Sequence, residues 1–148
     1  MPILLAMMIA TADPAPIVSY ADPAAVTRIK AGQHDCPHCD FAGADLSNTC
    51  VKGGDLQGAN FERAELTLMC MSYADFRAAN FRGADLAAAN LAHARLDGAD
   101  FTGANLTITS FDGTDLSRAV GLTQAQLDQA CGDADTKAPA GLKVPACR

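Results

Sequence analysis

Residues 79–92 read Ala79-Asn80-Phe81-Arg82-Gly83, Ala84-Asp85-Leu86-Ala87-Ala88, Ala89-Asn90-Leu91-Ala92. Each unit holds a small residue, then Asp or Asn, then a large apolar centre, then two variable positions. Followed outward in both directions, the centres fall at Phe41, Leu46, Val51, Leu56, Phe61, Leu66, Met71 and Phe76, and continue at Phe81, Leu86, Leu91, Leu96, Phe101, Leu106, Phe111 and Leu116. Sixteen units run from 39 to 117 without an insertion, and Asp or Asn precedes the centre in eleven of them. The centres and the small residues together fill 32 positions, of which about six would be charged at the chain's 19% charge content; none is. Both registers therefore face an interior in which an unpaired charge is too costly, and the remaining positions face water.

A period of five fits neither regular element. An α-helix advancing 100° per residue would smear the apolar stripe around the rod, and a strand would throw alternate centres onto opposite faces. A chain that turns a corner every five residues keeps all the centres together, which is the behaviour of a stacked solenoid. This run of Ala-Asp/Asn-Leu/Phe units resembles the pentapeptide-repeat family over more than half of the chain. The resemblance implies an all-β solenoid, a right-handed quadrilateral β-helix with four units per square coil. Centres twenty residues apart should then stack, and they sort by type. Phe41, Phe61, Phe81 and Phe101 form one ladder, and Leu46, Leu66, Leu86 and Leu106 the next. The third side mixes Val51, Met71, Leu91 and Phe111; the fourth holds Leu56, Phe76, Leu96 and Leu116. Four coils at strand spacing make a stack about 19 Å tall. Met69, a long side chain in the small register, predicts a local bulge or widened coil.

The flanking segments read as ends. Residues 1–12 form a short apolar run closing on Ala10-Thr11-Ala12, the pattern of a secretory signal peptide cleaved after Ala12. No Lys or Arg precedes that run, as would follow from a start placed too far downstream. Residues 13–21 are a linker, and 22–38 an N-terminal cap with a helix begun by Asp22 and Pro23 and ended by Gly32. After 117 the repeat lapses, because Gly121 stands where the next centre would be. Residues 118–148 form the C-terminal cap and tail: Thr123 and Gln126 make a capping box, and Leu122 and Leu127 a staple, for a helix over 124–131. Short helices thus close both ends of the solenoid. No segment after the first twelve residues is apolar and long enough to span a membrane.

The net charge is −6 with a pI near 4.8, and no Lys/Arg cluster exists to neutralise phosphates, which argues against direct nucleic-acid binding. Six cysteines together with an export signal point to disulfides. In the square coil, Cys50 and Cys70 occupy the same outward slot on adjacent coils, within disulfide reach. Cys131 and Cys147 bracket the C-terminal cap, leaving Cys36 and Cys39 as a local pair. Cys36-Pro37-His38-Cys39 also matches the dithiol motif of thioredoxin-fold disulfide oxidases, but no βαβ pattern surrounds it. With His34 and His38 the two cysteines could supply four metal ligands, crowded into six residues. His93 reads as a solvated surface group, and Arg95 as a cation between the carboxylates of Asp75 and Asp115. No cofactor motif, carboxylate pair in a cleft or Ser/His/Asp set is present. The expected function is a non-enzymatic scaffold or protein–protein interaction module outside the cytoplasm, periplasmic or secreted, with the cytoplasm as the alternative location and an unidentified protein partner. The second reading, implied by the resemblance, is a DNA mimic that binds a topoisomerase (gyrase). A short stack, modest negative charge and lack of an insertion weigh against it. The third is a thiol-redox or metal module at Cys36 and Cys39.

Overall fold

The computed structural model describes residues 20–148, so the expected signal peptide (1–12) and all of the linker but its last two residues lie outside the described residues. Isolated parallel bridges, rather than long strands, hold the chain together. They form four series, which begin at Asp40, Asp45, Cys50 and Asp55 and step by twenty residues to Asp100, Asn105, Ser110 and Asp115. Four series with a common step of twenty mean four sides and one coil per four units. Along each side the N–H of a centre donates to the carbonyl nineteen residues on, as from Phe41 to Asn60 (2.7 Å). The N–H before each centre donates back twenty-one residues, as from Asn60 to Cys39 (2.9 Å). Every centre from Phe41 to Leu116 is no more than 1% exposed. Phe41, Phe61, Phe81 and Phe101 stack with successive ring centroids 5.1 Å apart.

Two local devices turn the chain at each corner. The N–H of the small residue donates to the preceding centre's carbonyl, as from Ala44 to Phe41 (3.0 Å), closing a four-residue turn. The third residue of that turn has positive φ at every corner from His38 to Gly113, as type II turns require. Seven of these sixteen corners are glycine, and nine carry a side chain. The second device explains the Asp/Asn slot. In all eleven units the side-chain Oδ1 accepts from the backbone N–H two residues on, as from Ala42 to Asp40 and from Ser117 to Asp115. Such Asx turns supply an acceptor for an N–H that the coil leaves unpaired. Asn also links coils: Asn80 Nδ2 donates to Asn60 Oδ1 (3.2 Å), and Asn105 Nδ2 to Asp85 Oδ1 (3.0 Å).

Several expectations need correction. The ladder outruns the repeat at both ends. Cys36, five residues before Phe41, is buried and donates to Asp55 O (2.8 Å) just as a centre does, and at the other end Asp100 bridges Val120. Met69 causes no bulge: Cys70 N–H reaches Thr49 O and Asn90 N–H reaches Met69 O, both at 3.0 Å. Its unbranched thioether side chain is buried in a register whose neighbours, Thr49 and Ala89, are small.

Helix α1, Pro23–Lys30, has Asp22 as N-cap, and Asp22 Oδ1 accepts from Ala24 N–H (2.9 Å). It lies against the first coil through Ala25 and Ile29, with Ala21 N–H on Ala42 O and Asp22 N–H on Asp40 O. Helix α2, Gln124–Leu127, has the expected Thr123/Gln126 capping box but is only four residues long. The reason is competition. Ile108 N–H takes Gln129 O and Phe111 N–H takes Cys131 O, so the chain from 129 is drawn back onto the coil. Gln126 Nε2 donates to the carbonyls of Phe101 and Ala104, and Thr136 Oγ1 to that of Phe111. The last coil's upward carbonyls thereby gain donors. The tail folds back beside α2: Gly132 bridges Ala146, and Lys143 exchanges hydrogen bonds with the Gln124 side chain.

Candidate functional site: the outward sides and the cysteine pairs

With the interior filled by apolar side chains, the chemistry lies on the four sides and at the ends. The fourth side carries the charged column Asp55, Asp75, Arg95 and Asp115. Burial pushes the Asp75 carboxyl up, but hydrogen bonds and charge from Arg77 (2.8–3.1 Å), with the charge of Arg95, outweigh it and hold it below 3.8. Arg95 stands between Asp75 and Asp115 in the column, bridged to both, but its side chain pairs with Asp75, at 3.7 Å, while Asp115 pairs with Lys137 at 4.0 Å. The Ser117 hydroxyl and N–H hold Asp115 low.

The third side differs in kind. Among its outward residues, from the corner column of Asn48, Leu68, Ala88 and Ile108 across to that of Gly53, Tyr73, His93 and Gly113, only Lys52 and Asp112 are charged, one at each end. Leu68 (57% exposed), Tyr73 (58%) and Ile108 (72%) all lie on these two columns. Each holds a positive φ, of 59°, 62° and 59°, at a corner position that is glycine in seven of the sixteen units. His93 is exposed but not simply solvated, since its ring stacks on Tyr73 with centroids 4.8 Å apart, and Lys52 Nζ stands 5.7 Å from the Tyr73 ring centre. Sequence reading missed this side. The available signal was three large apolar residues in the second position after a centre.

The cysteines come together in three pairs at disulfide distance: Cys36 with Cys39, Cys50 with Cys70, and Cys131 with Cys147, at Cα separations of 5.5, 4.4 and 4.7 Å. Among the described residues no cysteine is left over. His38, one of the candidate ligands, instead places its ring where a Cβ at Gly58 would stand. Among the described residues no group of three or more His, Cys, Asp or Glu could hold a metal ion. A depression of about 250 Å³ between the last coil and α2 is lined by Ala104, Asn105, Leu106, Ala125, Gln126 and Gln129, none of them titratable or nucleophilic. Among the described residues no helix is long and apolar enough to cross a membrane.

A four-sided solenoid of five-residue units, with its charged chemistry confined to outward columns, defines the class. Residues 39–77, 70–107, 84–120 and 95–131 match the sequence pattern of pentapeptide repeats, in eight copies. These spans cover more than half of the chain, and the protein belongs to the pentapeptide repeat family, whose members fold as right-handed quadrilateral β-helices and are generally structural or interaction modules rather than enzymes. The chain is similar to a pentapeptide repeat protein (Rfr23) from the cyanobacterium Cyanothece 51142, at 30% identity and a TM-score of 0.56 over 68% of this chain, and it spans 64% of that protein's length. A pentapeptide repeat protein of the Arabidopsis thaliana thylakoid lumen is 27% identical over 78% of this chain and 68% of its own, with a TM-score of 0.31. QnrB1, a plasmid-mediated fluoroquinolone resistance protein, is 19% identical over 77% of this chain and 81% of its own, with a TM-score of 0.48. Comparison with curated proteins gave no match.

Proposed function

We propose that this protein is an exported, non-enzymatic pentapeptide-repeat module that binds a protein partner through its third side. The observation that carries this reading is the clustering of Leu68, Tyr73 and Ile108 on one charge-poor side. A large side chain held at positive φ costs the fold free energy, and with more than half of each exposed, packing within the chain returns little of it. Contact with a partner gives such residues a reason to be there. Export is supported by the Ala10-Thr11-Ala12 pattern and by six cysteines in three pairs at disulfide distance, an economy that suits an oxidising compartment. The topoisomerase-binding alternative needs a continuous acidic stripe, and the fourth side interrupts its own with Arg95 and neutralises Asp75 with Arg77.

The test has two arms. Expressed with its leader in a Gram-negative host, the protein should be recovered from the periplasm beginning at Asp13, with no free thiol under denaturing conditions. An intact N-terminus with six free thiols would contradict export. A triple variant, Leu68→Glu, Tyr73→Glu and Ile108→Glu, should fold normally yet lose a protein retained by the wild type. A fourth-side variant, Asp55→Ala with Asp115→Ala, should keep it. Equal retention by both variants would contradict the assignment of the third side.

A further inference from the structure

Helix α1 brings an arginine onto one cysteine pair. Arg28 Nη2 lies 3.2 Å from Cys36 Sγ and 3.7 Å from Cys39 Sγ. The helix is fixed there by the buried Ala25 and Ile29 and by backbone hydrogen bonds to Asp40 and Ala42, so the guanidinium stays beside the sulfurs. The two sulfurs differ in access: Cys36 is 3% exposed and lies in the core, whereas Cys39 is half-buried. The pair closes a loop with a sequence separation of only 3, against 20 and 16 for the others. At the opposite end of the molecule the electrostatics are reversed, because Cys147 Sγ stands 3.4 Å from the Asp112 carboxylate, which repels an incoming thiolate.

We propose that Cys36–Cys39 is a reversible thiol–disulfide exchange site, opened by a dithiol donor through attack on Cys39, with Arg28 stabilising the thiolate that leaves on Cys36. The donor's thiolate bonds to Cys39 Sγ as the Cys36–Cys39 bond breaks, and the electron pair departs on Cys36 Sγ. The donor's second thiol, deprotonated, then attacks its own sulfur in the mixed disulfide and releases Cys39. Two electrons pass to the protein, the donor becomes a disulfide, and its two protons end on Cys36 and Cys39. Burial alone disfavours a thiolate on Cys36 and makes it a poor leaving group. A guanidinium at 3.2 Å offsets that penalty, and opening so short a loop frees little chain. Arg28 acts here as a positioning and charge-compensating residue; it forms no bond to the donor.

The inference presupposes that the pair is oxidised, as the export reading requires, and thiol counting on the untreated protein checks that separately. The test itself equilibrates the full chain in dithiothreitol buffers of graded poise, traps thiols with a maleimide and reads each cysteine by peptide mass spectrometry. Cys36–Cys39 should open at a higher potential than the other two pairs. Arg28→Gln should lower its reduced-to-oxidised ratio about tenfold at fixed poise, a shift of about 30 mV, and Arg28→Lys should retain most of the wild-type value. Lys30→Gln, which removes a charge from the last turn of α1 without moving the helix, should leave the ratio unchanged. Simultaneous opening of all three pairs would overturn the site, and an equal shift from Lys30→Gln and Arg28→Gln would overturn the role of Arg28.

Discussion

Replacing Ile108 with glycine should stabilise this protein, although it deletes a large apolar side chain. Ile108 holds φ at 59°, where Cβ crowds the carbonyl and an L-residue loses roughly 1–2 kcal/mol; for a β-branched residue that conformation is a genuine outlier. The side chain is 72% exposed, so little burial is lost on its removal. Glycine's greater freedom in the unfolded chain takes back about 0.5–1 kcal/mol. The net gain should be about 0.5–1 kcal/mol, which raises Tm by roughly 2–3 °C in a chain of this size. Thermal unfolding followed by circular dichroism, with the cysteines kept oxidised, measures it. Ala88→Gly, one coil below at φ 55°, should give a smaller gain, and Ile108→Val none. If the third side is the contact surface, Ile108→Gly should also weaken partner retention while it strengthens the fold. A Tm below that of the wild type, or one indistinguishable from Ile108→Val, would refute the argument that corner strain is stored there for use elsewhere.

Three further outcomes follow from the same geometry. Phe61→Ala removes the middle ring of a stack with neighbours at 5.1 Å on both sides and should cost about 3–5 kcal/mol in denaturant unfolding, far more than Leu68→Ala on the exposed corner. Gln126→Ala strips donors from the Phe101 and Ala104 carbonyls as well as half of the capping box; it should cost about 1–2 kcal/mol and speed amide exchange first in the coil beneath α2. Asp75, Asp100 and Asp115 all titrate below 3.8 in the folded protein. Because their folded values are depressed, their stabilisation is fully present above the unfolded value and is lost as pH falls through the folded values. Tm should therefore hold from neutrality down to about pH 5 and fall below about pH 4, and Asp75→Asn should make that acid decline shallower.

The interior was legible in the sequence because burial is a yes-or-no property of a register. Charge is excluded from two registers, and residues such as Phe41 and Phe61 must then share one lumen. The ends were legible where a side chain caps its own helix, as Asp22 and Thr123 do. What was not legible depends on neighbours twenty residues away. The eleven Asp and Asn residues read as water-facing polar positions, and only the fold shows each one accepting a backbone N–H. Met69 looked too long for its register, and only the small neighbours above and below it show that it fits. The α2 helix stops at Leu127 because the coil beneath takes the carbonyls of Gln129 and Cys131, a competition invisible to local propensity. Arg28 lies eight residues before Cys36 on a separate element, and nothing in the intervening sequence announces that the two meet.

All of this depends on residues twenty apart lying one above the other, and the native cysteines report on it directly. Cys50 and Cys70 bridge in the same outward slot with a Cα separation of 4.4 Å. Peptide mapping of the oxidised, unreduced protein should find a single cross-link joining the Cys50 peptide to the Cys70 peptide. A Cys50 bonded to Cys131, Cys147 or Cys36, or two thiols that stay free under oxidising conditions, would contradict the stacking of the coils.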